Sequence, residues 1–165
     1  MNTKDFLIDE IQNTEYSYDP YQSLRTCDEK HLPQNALEIS WAIIPLPNGV
    51  ADPFWIESAQ NLLAAVILHY FKKGASFSET MTGILTTDID KLIEEILSSD
   101  NAAAKMFIKQ FGKLDLKILA VIATIMSNGI MVIAIEPLIG SLCDNKGEID
   151  KSVTLMTAEG FCRAK

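Results

Sequence analysis

Histidine, cysteine and glycine are all scarce in this 165-residue chain, and each shortage removes a class of chemistry. The two histidines, His31 and His69, stand alone, with no second histidine four residues on, so the H-E-x-x-H arrangement that seats a catalytic zinc is excluded. Cys27, Cys143 and Cys162 are odd in number, far apart and free of any C-x-x-C spacing. Neither a disulfide framework nor a zinc knuckle is encoded, and a reducing cytoplasm fits that usage. The one Gly-Lys pair, Gly112-Lys113, has Phe107 where a phosphate loop needs its first glycine and Leu114 where it needs Ser or Thr. No nucleotide cradle follows, because backbone N–H groups can surround phosphates only where glycines let them approach. A G-x-S-x-G elbow is also missing. These absences predict a protein without catalysis, cofactor or bound metal.

Positive charge is the next shortage. Fourteen Lys and Arg face twenty-two Asp and Glu, a net charge of −8, which disfavours a protein living mainly by phosphate neutralisation. The first residues, Met1-Asn2-Thr3-Lys4-Asp5, lack the basic-then-apolar run of a signal peptide. Apolar residues make up 48% of the chain, and a domain of this length buries about 70% of its unfolded surface, enough to fold without staples. The long apolar run Ile118–Ile135 carries no charge over eighteen residues, the lower length limit for a spanning helix. Thr124 and Ser127-Asn128-Gly129 interrupt it, which favours a buried helix, broken near Gly129, over a membrane span. A small membrane-associated helical protein with Ile118–Ile135 in the bilayer is the alternative reading.

Residues 1–35 are polar and acidic and read as an irregular strap. Between Ala36 and Ile44 the apolar pattern favours a short helix, ended by Pro45, Pro47 and Gly49. Asp52-Pro53 is a clear helix start, an acceptor for free N–H groups followed by a proline whose missing N–H costs nothing there. Gly74 after Lys72-Lys73 is the matching stop. Between them Leu62–Leu68 is apolar on all sides and predicts a helix through the middle of the core. Ser76 or Ser78 can cap the next helix, to Leu85. Thr87 or Asp88 can cap one whose Ile89, Leu92, Ile93, Ile96 and Leu97 follow helical spacing. Asp100 can start another carrying Met106, Phe107 and Phe111 inward, with Gly112 at its end. No Val, Ile and Thr alternation is sustained, so an all-α fold is predicted, a compact multi-helix bundle over residues 36–143. Residues 144–165 show no clear period.

Three patterns are candidates for contact with a ligand or partner. Lys105, Lys109, Lys113 and Lys117 recur every four residues, a slowly drifting basic stripe if one helix continues through Gly112, and a partner- or phosphate-facing candidate. Solvated lysines are the bland account, and a break at Gly112 splits the stripe into two pairs. Asp90, Glu94 and Glu95 form an acidic candidate face, although such a face is far more often simply solvated. Asp52, Pro53, Phe54 and Trp55 read as a structural anchor where the chain enters the core, before ligand stacking is considered.

The stretch from Asp52-Pro53-Phe54-Trp55 through Leu62-Leu63 to His69-Tyr70 resembles the all-α domain of type IV secretion coupling proteins, the TraG/TraD-like conjugation ATPases. In them a D-P-F-W start leads into a small residue, a Leu pair and an apolar helix. Tyr18-Asp19-Pro20-Tyr21 is similar to the family's Y-N-P segment, with Asp19 where Asn is usual, and the resemblance covers about residues 16–143. It implies an all-α domain inserted in a RecA-like motor, facing the cytoplasm, that recruits a relaxase, a relaxosome accessory protein or a secreted effector, and touches DNA transiently. The parent motor domain would be a further partner, and no small-molecule substrate is implied. The motor's ATPase motifs and the family's membrane anchor are missing from this sequence, so the resemblance implies an excised domain or a truncated homologue. The family offers no compact binding motif to transfer, so the lysine stripe and the acidic face rest on charge pattern alone.

Overall fold

The structure, a computed structural model, describes residues 19–135, and every regular element among them is helical. Seven α-helices follow one another: α1 (Gln22–Thr26), α2 (Leu32–Ile43), α3 (Phe54–Lys72), α4 (Phe77–Thr86), α5 (Ile89–Ser98), α6 (Ala102–Ile108) and α7 (Leu116–Ile135). Short 3-10 turns at Glu29–His31 and Phe111–Lys113 lead into α2 and α7. The described residues form an all-α bundle, as the capping and periodicity predict.

Helix α3 is its axis. Every residue from Leu62 to Leu68 is buried, and α2, α4, α5, α6 and α7 all pack on this helix. A helix with no polar side has no alternative to the middle of a bundle. Truncating one of these leucines to Ala would cost about 2–5 kcal/mol. Both ends of α3 follow from local sequence. The Asp52 carboxylate accepts a hydrogen bond from the Phe54 N–H at 3.1 Å, while Pro53 already has helical dihedrals. At the far end Gly74 adopts φ +80°, the Ala75 N–H reaches the Tyr70 carbonyl at 3.1 Å and the Gly74 N–H reaches the Phe71 carbonyl at 3.0 Å. Those two bonds satisfy carbonyls left open by the last turn, and glycine adopts that dihedral without a Cβ clash. The chain then re-enters a helix at once, because Ser76 and Glu79 form a reciprocal capping box at 3.1 and 2.7 Å.

Several elements depart from the sequence reading. The strap holds helix α1 and a 3-10 turn among its described residues, and α2 begins at Leu32 rather than Ala36. Its Tyr21 is wholly buried, so it is fixed to the core rather than draped on it. Helix α6 is capped by Asn101, not Asp100. The Asn101 amide oxygen accepts from the Ala104 N–H at 3.1 Å, and its Nδ2 donates to the Leu68 carbonyl at 3.0 Å. Asp100 points instead to Lys72, at 3.2 Å. Met106 faces outward, Phe107 is partly buried, and the helix ends at Ile108, four residues before Gly112. The side chains that α6 buries are Ala104 and Ile108.

Helix α7 runs unbroken through Ser127-Asn128-Gly129 to Ile135. Gly129 is a close-approach site: a Cβ there would lie 2.7 Å from Ile44 Cγ1, just past the end of α2. Leu119, Ile122, Met126 and Ile130 of α7 are buried against the bundle, while Leu116 and Val121 are exposed. No helix among the described residues is long and apolar enough to cross a membrane. The expectations for residues 1–18 and 136–165, Cys143 and Cys162 included, lie outside the described residues.

Candidate functional site

Helices α2 and α6 both pack on α3, and two depressions open on the surface they share with it. The first, about 380 Å³, is lined by Leu37 and Trp41 of α2, Leu46 from the following loop, and Glu57, Gln60 and Asn61 of α3. The second, about 490 Å³, is lined by Asn61, Met106 and Phe107 of α6, and Lys109, Gln110 and Lys113 beyond it. Asn61 is common to both, so the two depressions adjoin on α3 and together make up the groove.

Local sequence explains each wall. Leu37 and Trp41 are one helical turn apart, and Ala36 and Ser40 beside them supply the buried face of α2. That leaves Trp41 on the rim, 45% exposed. The α2 end is fastened by Gln60, whose buried Nε2 donates to the Ile44 carbonyl at 2.7 Å. Leu46 then follows in the turn before α3 and is also 45% exposed. Met106, 63% exposed, lines the second depression because Ala104 and Ile108 take the inward face of α6. Glu57 and Asn61 are separated by one turn, about 6 Å along α3, and are that helix's contribution to the first depression, with Gln60.

The charges divide along the groove. Among the described cations, Arg25, Lys30, Lys72, Lys73 and Lys91 each pair with a carboxylate, on Asp19, Asp28, Asp100, Glu95 and Asp88 respectively. Lys109, Lys113 and Lys117 form no ion pair there, and Lys105 acts only at a distance, on the Asp100 carboxyl, whose pKa is lowered chiefly by Lys72. Glu57, in the other depression, has no cationic partner among the described residues either. The groove is therefore basic at the α6 end, acidic at the α2 end and apolar along its rims.

The lysine stripe is only partly assembled. Lys105 lies in α6, Lys109 caps its C-terminus, Lys113 is in the 3-10 turn and Lys117 is in the first turn of α7. The change of direction after Ile108 breaks the four-residue periodicity, and only Lys109 and Lys113 line the groove. The acidic candidates separate too. Asp90 and Glu94 face solvent, but Glu95 turns toward α3, where it pairs with Lys73 and lies 3.3 Å from Nε2 of the buried His69. Lys73 first, and His69 second, hold the Glu95 carboxyl below its ordinary value. Of the entry anchor, Asp52 caps, Trp55 packs on the core, and Phe54 remains exposed with its ring edge-on to Trp55 at 5.2 Å.

Trp41, Leu46, Glu57, Asn61, Met106 and Gln110 were not legible as site residues, because the groove joins three separate stretches of chain. The Leu37–Trp41 spacing was the one available signal. Among the described residues no group of three or more His, Cys, Asp or Glu side chains could hold a metal ion. Comparison with family models, curated proteins and solved structures finds no match to this chain.

Proposed function

We propose that this bundle is a protein-docking module, the substrate-recognition all-α domain of a type IV secretion or conjugation coupling protein, and that it works by binding rather than by chemistry. The observation that carries docking is the groove across α3, with exposed Trp41, Leu46 and Met106 beside two lysines that form no ion pair among the described residues. Exposed aromatic and Met side chains are enriched on partner surfaces, where charged groups are confined to the polar rim. The coupling-protein assignment is supported by the D-P-F-W start and the apolar helix it opens, which is the axis of the bundle. On this reading the partner is a relaxase, a relaxosome accessory protein or a secreted effector, met on the cytoplasmic face of the membrane, with DNA touched only transiently.

The test is capture of purified relaxase and accessory protein from a conjugative element of the same host by the immobilised full chain, followed by titration calorimetry. Saturable binding of either is expected. Failure to retain any relaxosome component or effector would end the coupling-protein assignment.

A further inference from the structure

Resting on the docking reading, we propose that the groove takes an acidic amphipathic segment of the partner protein, with apolar side chains against Trp41, Leu46 and Met106 and carboxylates over Lys109 and Lys113. Charge selects that occupant. Five of the nine described cations are already neutralised by carboxylates of the chain itself, in a protein with eight more acids than bases. Lys109 and Lys113 line the same depression and form no ion pair among the described residues. A pair of lysines on an apolar-rimmed groove offers an incoming carboxylate partial desolvation, where charge-assisted bonds gain strength.

The same depressions argue against nucleic acid as the occupant. Glu57 lines the adjoining depression and would repel a phosphate chain, which is charged along its whole length, whereas a segment with its carboxylates at one end keeps them away from Glu57. Phosphate-driven binding also draws its affinity from many cations together, whereas two face this groove. A free inorganic anion would leave Trp41, Leu46 and Met106 without a role. A peptide segment uses both halves, and the direction is set: its acidic end lies toward α6, and its apolar or basic end toward Glu57.

The experiment titrates the full chain against a fluorescein-labelled synthetic peptide of about four helical turns, with leucines on one stripe and glutamates clustered at one end. A peptide with lysines replacing the glutamates, and a single-stranded DNA oligonucleotide, are run beside it. Saturable binding of the glutamate peptide alone is expected, weakened about tenfold or more by Lys109→Glu/Lys113→Glu and by Trp41→Ala/Met106→Ser. All these side chains are on the surface, so the variants should keep the wild-type circular dichroism. Absence of binding, equal binding of the lysine peptide, or affinity unchanged in the charge-reversed variant overturns the proposal. DNA binding that disappears in Lys109→Glu/Lys113→Glu overturns it in favour of nucleic acid. If a relaxosome protein is captured equally by wild type and both groove variants, the docking reading stands and this assignment of the groove falls. Peptide binding in the groove with no relaxosome protein captured upholds the groove's preference for an acidic segment and ends the coupling-protein assignment.

Discussion

At the scale of the residue, Tyr21 concentrates the fixing of the N-terminal turn. Its ring is wholly buried and meets Phe71 and Phe77 edge-on, at 5.5 and 5.4 Å. Its hydroxyl donates to Thr80 Oγ1 at 2.7 Å, which in turn donates to the Ser76 carbonyl at 2.8 Å. Burial pushes the phenol well above its ordinary 10.0. Because the folded-state value is raised, Tyr21's contribution to stability is complete below about pH 10 and is lost as pH climbs beyond it. Tyr21→Phe should cost about 1 kcal/mol at neutral pH through the lost hydrogen bond. Above pH 10 the wild type should lose that advantage, by up to about 1.4 kcal/mol per pH unit, as urea titrations at a series of pH values would reveal. Parallel pH profiles for the two proteins would contradict it. Two glycines supply a second residue-scale prediction. Alanine at 129 gains about 1 kcal/mol of helix propensity, yet its Cβ meets Ile44 Cγ1 at 2.7 Å, inside a packed contact. Overpacking of that kind costs about 1–3 kcal/mol, so Gly129→Ala should be net destabilising by chemical denaturation. At Gly83 the nearest atoms are the hydroxyl and ring edge of the partly buried Tyr70, at 2.6–3.1 Å, so Gly83→Ala requires that ring to shift and should also be destabilising.

At the scale of the element, the bundle is joined by polar contacts that reach from one helix to the next. Asn101 caps α6 and holds the α3 backbone with the two ends of a single amide. Glu95 ties α5 to α3 through Lys73 and His69, with His69 only 3% exposed. Since pairing depresses the Glu95 pKa, its contribution is present above the ordinary carboxyl value of 4.5 and is lost as pH falls through the lowered one. Glu95→Gln should therefore lower stability modestly at neutral pH, by under about 1 kcal/mol because the carboxylate is half in solvent. The difference from wild type should fade on acidification. A deficit that persists unchanged at low pH would mean that packing, not charge, joins α5 to α3. These elements also mark where the sequence can be read. Helix α3 was legible at both ends because Asp52-Pro53 and Gly74 act on their immediate neighbours. The apolar face of α5 was legible for the same reason, while the start of α4 was left between Ser76 and Ser78 and was decided by the reciprocal bond with Glu79. The start of α6 was not, since Asp100 and Asn101 are both good caps, and the choice fell to the distant Leu68 carbonyl and to Lys72. Gly129 resembled a helix breaker, yet its lack of a side chain serves contact with α2, which no local pattern contains. Half the lysine stripe survived into the groove, but Trp41, Asn61 and Met106 meet only through the fold.

At the scale of the whole molecule, the cations fall into two populations. Among the described residues, those of α1 to α5 and the 3-10 turn between α1 and α2 are answered by carboxylates, whereas Lys105, Lys109, Lys113 and Lys117 form no ion pair. If the unpaired lysines served the fold, they would do so through long-range attraction to the net negative charge, a diffuse effect that salt screens over about 8–10 Å. If they serve a partner, the free molecule should scarcely notice their loss. The second account predicts that Lys109→Ala/Lys113→Ala shifts unfolding free energy by no more than about 0.5 kcal/mol in urea at physiological salt, as for surface positions without a structural partner. Lys72→Ala and Lys73→Ala, which break ion pairs to Asp100 and Glu95, provide the comparison within the same molecule. A loss above about 1 kcal/mol in the Lys109/Lys113 double variant would place those lysines among the contacts that hold the bundle together. Neutrality there, with the expected loss of peptide binding, would separate the surface that recognises from the core that folds: α3 would hold the helices in place, and the groove crossing it would be free to vary with its partner.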